Sequence, residues 1–97
     1  MIGYVYKLID KRDDEPFYVG STTWPLNKRL SGHKTDVRRN KEGLKLRRRM
    51  RRIGLNNIGI ELLQTLHNTT RERLKKREKY WIHKLESRNH GNTFHPI

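Results

Sequence analysis

Two stretches of this 97-residue chain place their apolar residues at the same offsets, i, i+4, i+7 and i+11, and each is interrupted once by a polar residue. Leu26, Leu30, His33 and Val37 make the first stripe; Leu74, Glu78, Trp81 and Leu85 make the second. At 100° per residue, such positions lie within an arc of about 60°, so both stretches predict helices with one buried face. Only 32% of the residues are hydrophobic, so these stripes and a few short strands must supply the whole core.

The strands are legible from side-chain type. Residues 4 to 9, Tyr-Val-Tyr-Lys-Leu-Ile, are aromatic and β-branched, which favours a strand. Asp10 to Glu15 is polar and reads as a turn. Phe17 to Gly20 reads as a second strand, with Pro16 at its start, where a missing N–H breaks no ladder. With that turn, one register places Tyr6 opposite Gly20 and Leu8 opposite Tyr18. Tyr4, Tyr6 and Tyr18 then share a face, and Gly20 leaves room for something to approach Tyr6. Thr23-Trp24-Pro25 supplies a capping hydroxyl and a first-turn proline for the first helix. A second helix is expected from Leu44 to Ile53, with Leu46, Met50 and Ile53 inward and Gly54 as its C-cap. Ile58, Ile60 and Leu62 alternate as a third strand. Thr69-Thr70-Arg71-Glu72 reads as a capping box opening a helix to about Glu86, followed by a polar tail. The expected order is ββααβα: an α+β fold with a small three-stranded antiparallel sheet flanked by helices, forming one domain over residues 1–97.

Charge narrows the function. There are 23 Lys or Arg residues against 10 Asp or Glu, a formal net charge of +13. Such self-repulsion destabilises a small compact domain and points to a polyanionic partner, nucleic acid foremost. No stretch approaches the roughly 20 apolar residues of a membrane span. No apolar segment after Met1 resembles a secretory signal. With no cysteine, disulfides, thiolate metal sites and cysteine nucleophiles are excluded. The expectation is an intracellular domain, cytoplasmic or nucleoid-associated, with no membrane partner. Six of the eight residues from Lys45 to Arg52 are basic. Lys45, Arg47, Arg48, Arg51 and Arg52, on the outer faces of the second helix, are read with Lys28 as a phosphate-tracking surface. Trp24, Trp81 and the tyrosines are too scattered in sequence for a single-strand stacking platform.

The polar interruptions are the candidate chemistry. A carboxylate on a buried stripe is paired with a cation or bound to a metal, and Glu78 fits either. His33 fits an ordinary satisfied core histidine. Its neighbour one turn back, Arg29, makes an anion site the sharper alternative. The carboxylate cluster Asp13-Asp14-Glu15 is turn chemistry, which leaves no two-metal set. His90 and His95 lack the further ligands that zinc needs.

Tyr4-Val5-Tyr6, followed after eleven residues by Tyr18-Val19-Gly20, resembles the paired motifs of the GIY-YIG nuclease superfamily. Arg29-Leu30-x-x-His33 is similar to that family's arginine motif, and Arg77-Glu78-Lys79-Tyr80-Trp81-Ile82 to its glutamate motif. Asn92 corresponds to its C-terminal asparagine, with Asn89 nearby as an alternative. The first motif departs in having Tyr4 where the family has glycine, though Gly3 precedes it and the tyrosine is kept as Tyr6. The pattern is most similar to the phage homing-endonuclease and viral branch.

The resemblance implies a metal-dependent DNA endonuclease with Tyr6, Tyr18, Arg29, His33, Glu78 and Asn92 as its catalytic set. Glu78 would be the sole protein carboxylate on one divalent metal, Mg²⁺ or Mn²⁺. Arg29 would hold the scissile phosphate. Tyr6 would act as general base, with Tyr18 and His33 orienting water or phosphate. A phenol titrates near 10, so that role needs positive charge close by. The other readings are a non-catalytic basic nucleic-acid-binding module and an interaction domain for acidic proteins. One site cuts one strand per engagement, so a double-strand break would need a homodimer or sequential nicking. Fusion to a separate DNA-binding domain is the other arrangement such a catalytic piece would use.

Overall fold

The computed structural model describes residues 1–41 and 43–88. Strands β1 (Gly3–Asp10) and β2 (Glu15–Thr22) form the opening hairpin; helices α1 (Leu26–Arg38) and α2 (Leu44–Ile53) follow, then strand β3 (Ile58–Leu66) and helix α3 (Arg71–Arg88). A short 3-10 turn, Leu55–Asn57, leads into β3. The sheet is antiparallel with order β2-β1-β3. This is the expected α+β arrangement, ββααβα.

The hairpin is longer and its turn tighter than the polar run suggests. Asp10 pairs with Glu15, so the turn is Lys11–Asp14, closed with Asp14 at a positive φ of 58°. The register matches expectation, Tyr6 opposite Gly20 and Leu8 opposite Tyr18. It slips by one residue at Phe17, beyond which Pro16 lies opposite Ile9. Such a bulge puts two neighbouring side chains on one face, and both Phe17 and Tyr18 pack against the same core cluster.

Each face of the sheet carries its own core. On one side Tyr6, Leu8, Phe17 and Ile58 meet Val37 of α1 and Leu46, Met50 and Ile53 of α2. On the other, Val5 and Val19 meet Leu74, Ile82 and Leu85 of α3. The alternation of Ile58, Ile60 and Leu62 holds, the three lying opposite Asp10, Leu8 and Tyr6, although Leu62 is exposed. Beyond it the β1–β3 register slips at Leu63, and Leu63, Gln64 and Leu66 turn toward α3.

Helix ends differ from the sequence reading in detail. Pro25 is the residue before α1 and no side chain caps it; Thr22, rather than Thr23, supplies a hydroxyl, which accepts from Trp24 N–H at 3.0 Å. At α3 the cap is Thr70, whose Oγ1 accepts from Arg73 N–H at 3.2 Å. Glu72 therefore stands one position short of the reciprocal place in a capping box and pairs with Lys76 instead. Helix α3 also runs two residues past Glu86, to Arg88. α2 has the expected bounds, and Gly54 ends it at φ 95°, where a side chain would be strained.

Candidate active site

Four of the singled-out side chains converge on the α1 side of the sheet. Tyr6 projects from the central strand, and its Oη lies 2.7 Å from His33 Nε2 of α1. Both residues are fully buried. When Nε2 carries no proton, the phenol donates to it. Arg29, one turn before His33, donates from Nε to the same Tyr6 oxygen at 3.3 Å. The Tyr18 ring closes the group edge-on, its centroid 5.6 Å from that of His33 and 6.4 Å from that of Tyr6. Tyr4, though in phase with Tyr6 along β1, joins none of these ring contacts among the described residues.

The space opposite Tyr6 is used differently from expectation. A Cβ on Gly20 would lie 2.6 Å from Tyr6 Oη and 2.8 Å from both Tyr6 Cζ and Tyr18 Cε2. The phenol itself lies across the glycine, so Gly20 makes room for Tyr6 and not for an incoming group.

Glu78 reaches the site from the opposite layer. Its side chain is 15% exposed, and Oε1 accepts from Ser21 Oγ of β2 at 2.7 Å. Lys75, three residues earlier on α3, stands 3.4 Å from the same oxygen with its own side chain 66% exposed. Among the described residues no hydrogen bond reaches Oε2. Neither partner was singled out in the sequence. Lys75 was legible from its i, i+3 offset, whereas Ser21 lies 57 residues away and only the fold joins it to Glu78.

The two halves meet around the C-terminal end of β2. A cleft of about 320 Å³ is lined by Ser21, Thr22, Thr23 and Trp24, by Arg29 of α1, and by Arg71, Leu74 and Lys75 of α3. One wall thus holds the arginine bonded to Tyr6, and the other holds the serine and lysine bonded to Glu78. Its three charged lining residues are all cations.

The basic helix is divided in its contacts. Arg47 Nη1 donates to Asn40 O at 3.0 Å, and Arg51 Nη2 donates to Val37 O at 2.9 Å and to Asn40 Oδ1. These two arginines satisfy carbonyls where α1 ends. Lys45, Arg48 and Arg52 are exposed, as is Lys28 on α1, and none of the four side chains has a hydrogen bond or ion pair among the described residues. Arg49 also points outward and was missed, although it lies in the same basic run. Asn92, its alternative Asn89, and His90 and His95 lie outside the described residues.

The fold agrees with comparisons to known proteins. A family profile described as the GIY-YIG catalytic domain matches residues 2–92. The chain belongs to the GIY-YIG family. Membership in this family of catalytic domains makes it an endonuclease. Among solved structures, it is similar to the catalytic domain of the homing endonuclease I-TevI, with 22% identity and a TM-score of 0.73 over 98% of this chain and 99% of that one. A point mutant of the catalytic domain of intron endonuclease I-TevI gives 23% identity and a TM-score of 0.73, covering 94% of this chain and 91% of that one. At these identities the likeness is one of fold. No match was found among curated proteins. No helix among the described residues is long and apolar enough to cross a membrane.

Proposed function

We propose that residues 1–97 form one GIY-YIG domain that hydrolyses DNA phosphodiester bonds with a single divalent metal. The observation that carries this reading is the shared cleft, with Arg29, which is bonded to the buried Tyr6, on one wall and Ser21 and Lys75, the partners of Glu78, on the other.

The donor set suits one hard cation. Among the described residues no three His, Cys, Asp or Glu side chains are grouped as a metal cage. Mg²⁺ commonly binds through one or two carboxylates, keeping waters and taking phosphate oxygens. Glu78 offers one carboxylate beside an exposed lysine that can swing away at little cost. Mg²⁺ or Mn²⁺ held there would supply Lewis-acid stabilisation of charge on the phosphate and leaving oxygen.

The chain's own groups do the rest. Arg29 faces the cleft and pairs with a phosphate oxygen, offsetting charge that develops as water adds. Tyr6 takes the proton from that water as its own phenolic proton passes to His33 Nε2, 2.7 Å from the phenol oxygen, and the Arg29 guanidinium beside that oxygen favours the phenolate. Water adds to phosphorus as the P–O bond to the leaving oxygen breaks. Tyr18 packs His33 into position, and Asn92 is assigned to the site by motif. Lys28, Lys45, Arg48 and Arg52 attract the flanking phosphates.

The test is nicking of supercoiled plasmid in Mg²⁺, Mn²⁺ or EDTA by the parent chain and by Glu78→Ala. The parent is expected to nick only with metal, and the variant to bind DNA at near-parental affinity without cutting. Cutting by the variant would remove Glu78 from the metal. Binding without cutting by the parent under every metal would make the chain a binding module.

A further inference from the structure

Trp24 takes no part in the chemistry above, yet it is 57% exposed, more than any other large apolar side chain among the described residues. Tryptophan is enriched at interfaces, where its flat apolar ring is covered and its N–H stays wet. Trp81, the other tryptophan, is half-buried and donates from Nε1 to Gln64 Oε1 at 3.0 Å. Trp24 is held differently. Its backbone N–H donates to Thr22 Oγ1 at 3.0 Å, and Pro25 follows at φ −54°. A residue before proline is restricted to extended conformations. The indole therefore stands on a stiff joint between β2 and α1, with only two side-chain torsions to lose on binding.

Its position decides what can cover it. Trp24 lines the same cleft as Arg29, Arg71 and Lys75. The partner must therefore present negative charge to three cations and a flat apolar face to an indole within one cleft. A nucleotide whose base is out of the stack does both, through its phosphate and its ring. A base inside a continuous duplex has both faces covered by its neighbours and offers the indole nothing. A peptide carboxylate would satisfy the cations but not the ring.

Building on the nuclease reading, we propose that Trp24 is a stacking site for one unpaired base adjacent to the phosphate held by Arg29. One indole is no platform for a whole strand, but a single base needs only one face. Base–aromatic stacking of ordinary strength corresponds to at least about a fivefold gain in affinity, and commonly tenfold or more. The domain then holds DNA most tightly where one nucleotide is already unpaired, since there the cost of unstacking has been met.

The experiment is binding in EDTA, where no cutting competes. Three labelled duplexes of equal length are compared by anisotropy: fully paired, with one unpaired adenine, and with an abasic residue in place of that adenine. The parent is expected to bind the unpaired-adenine duplex about tenfold more tightly than the paired one, and the abasic duplex no better than the paired one. Trp24→Ala should bind all three alike, and Trp24→Phe should keep most of the preference. Indole fluorescence should be quenched by the unpaired-adenine duplex in the parent and not in Trp24→Ala. No preference in the parent, or a preference kept by Trp24→Ala, would overturn the proposal. Plasmid nicking by a parent that shows no preference would leave the nuclease reading intact. A Trp24-dependent preference without nicking would do the reverse.

Discussion

Replacing Gly20 by alanine tests the packing on which the Tyr6 group depends. The new methyl would sit 2.6 Å from Tyr6 Oη and 2.8 Å from Tyr6 Cζ and Tyr18 Cε2, where ordinary contact begins at 3.4 Å. Both rings would have to retreat by more than about half an ångström. Neither can do so alone, because the Tyr6 ring is fully buried and its oxygen is shared by His33 and Arg29. Overpacking of this kind costs about 1–3 kcal/mol. Pulling the phenol from His33 leaves a buried nitrogen unmatched, which adds about 1–3 kcal/mol.

A net loss of about 2–6 kcal/mol is expected, which lowers the melting temperature of a domain this size by roughly 10–30 °C. Circular-dichroism melts measure it. Gly3→Ala is the control: its methyl would first meet the Leu74 side chain, both δ-methyls at 2.9 Å, with no hydrogen bond at stake, and should cost about 1 kcal/mol, the low end of overpacking. Plasmid nicking at a temperature where Gly20→Ala is folded should fall below about a tenth of the parental rate, since a displaced phenol loses its alignment. Adding Tyr6→Phe removes the closest contact, so the double variant should be more stable than the two single losses together imply. Parental melting and cutting by Gly20→Ala would refute the close approach of Tyr6 to the β2 backbone.

Two further outcomes follow from the charged surface. Arg48→Ala and Arg52→Ala should each flatten the dependence of log affinity on log salt by about one unit, measured by DNA titration. Arg47→Ala and Arg51→Ala should instead lower stability by about 0.5–1.5 kcal/mol each with little change in that slope, because their guanidinium groups are engaged at the end of α1; equal slopes across all four variants would reject the division. At the hairpin end, Arg12 donates to Asp10 from Nε and Nη2 at 2.9 and 2.6 Å and holds its carboxyl down to about 2. A pKa lowered on folding adds stability above the ordinary carboxylate range and loses it as pH falls from about 4 toward 2. Arg12→Gln should therefore melt below the parent at pH 7 and converge with it near pH 2, whereas a constant gap in a melting-temperature series would deny the linkage.

Local pattern accounts for most of what the sequence made legible. The hairpin register followed from a polar run between two aromatic strands, and the bounds of α2 from three apolar positions ended by Gly54. His33 and Glu78 were visible because each breaks an apolar stripe, a conflict that needs no partner to be noticed. The features that were not legible are those in which one residue shifts or one partner is distant. The slips at Phe17 and Leu63 each reassign a neighbour to the opposite face, and Thr70 caps α3 where a standard box would use Thr69.

The sequence by itself therefore determined the elements, their order and the residue types available for chemistry, because helical and strand periodicity is written in nearest neighbours along the chain. Tertiary structure decided which of those residues share a site. Tyr6 and His33 lie on one side of the sheet and Glu78 comes from the other. Arg29, bonded to Tyr6, and Ser21 and Lys75, bonded to Glu78, line one cleft only because β2 ends where it does, with Ser21 turned toward α3 and the chain continuing through Trp24 into α1. The same packing put Arg47 and Arg51 on the end of α1 and left Arg48 and Arg52 to solvent. Such pairings depend on where elements cross in space, and no spacing along the chain encodes that.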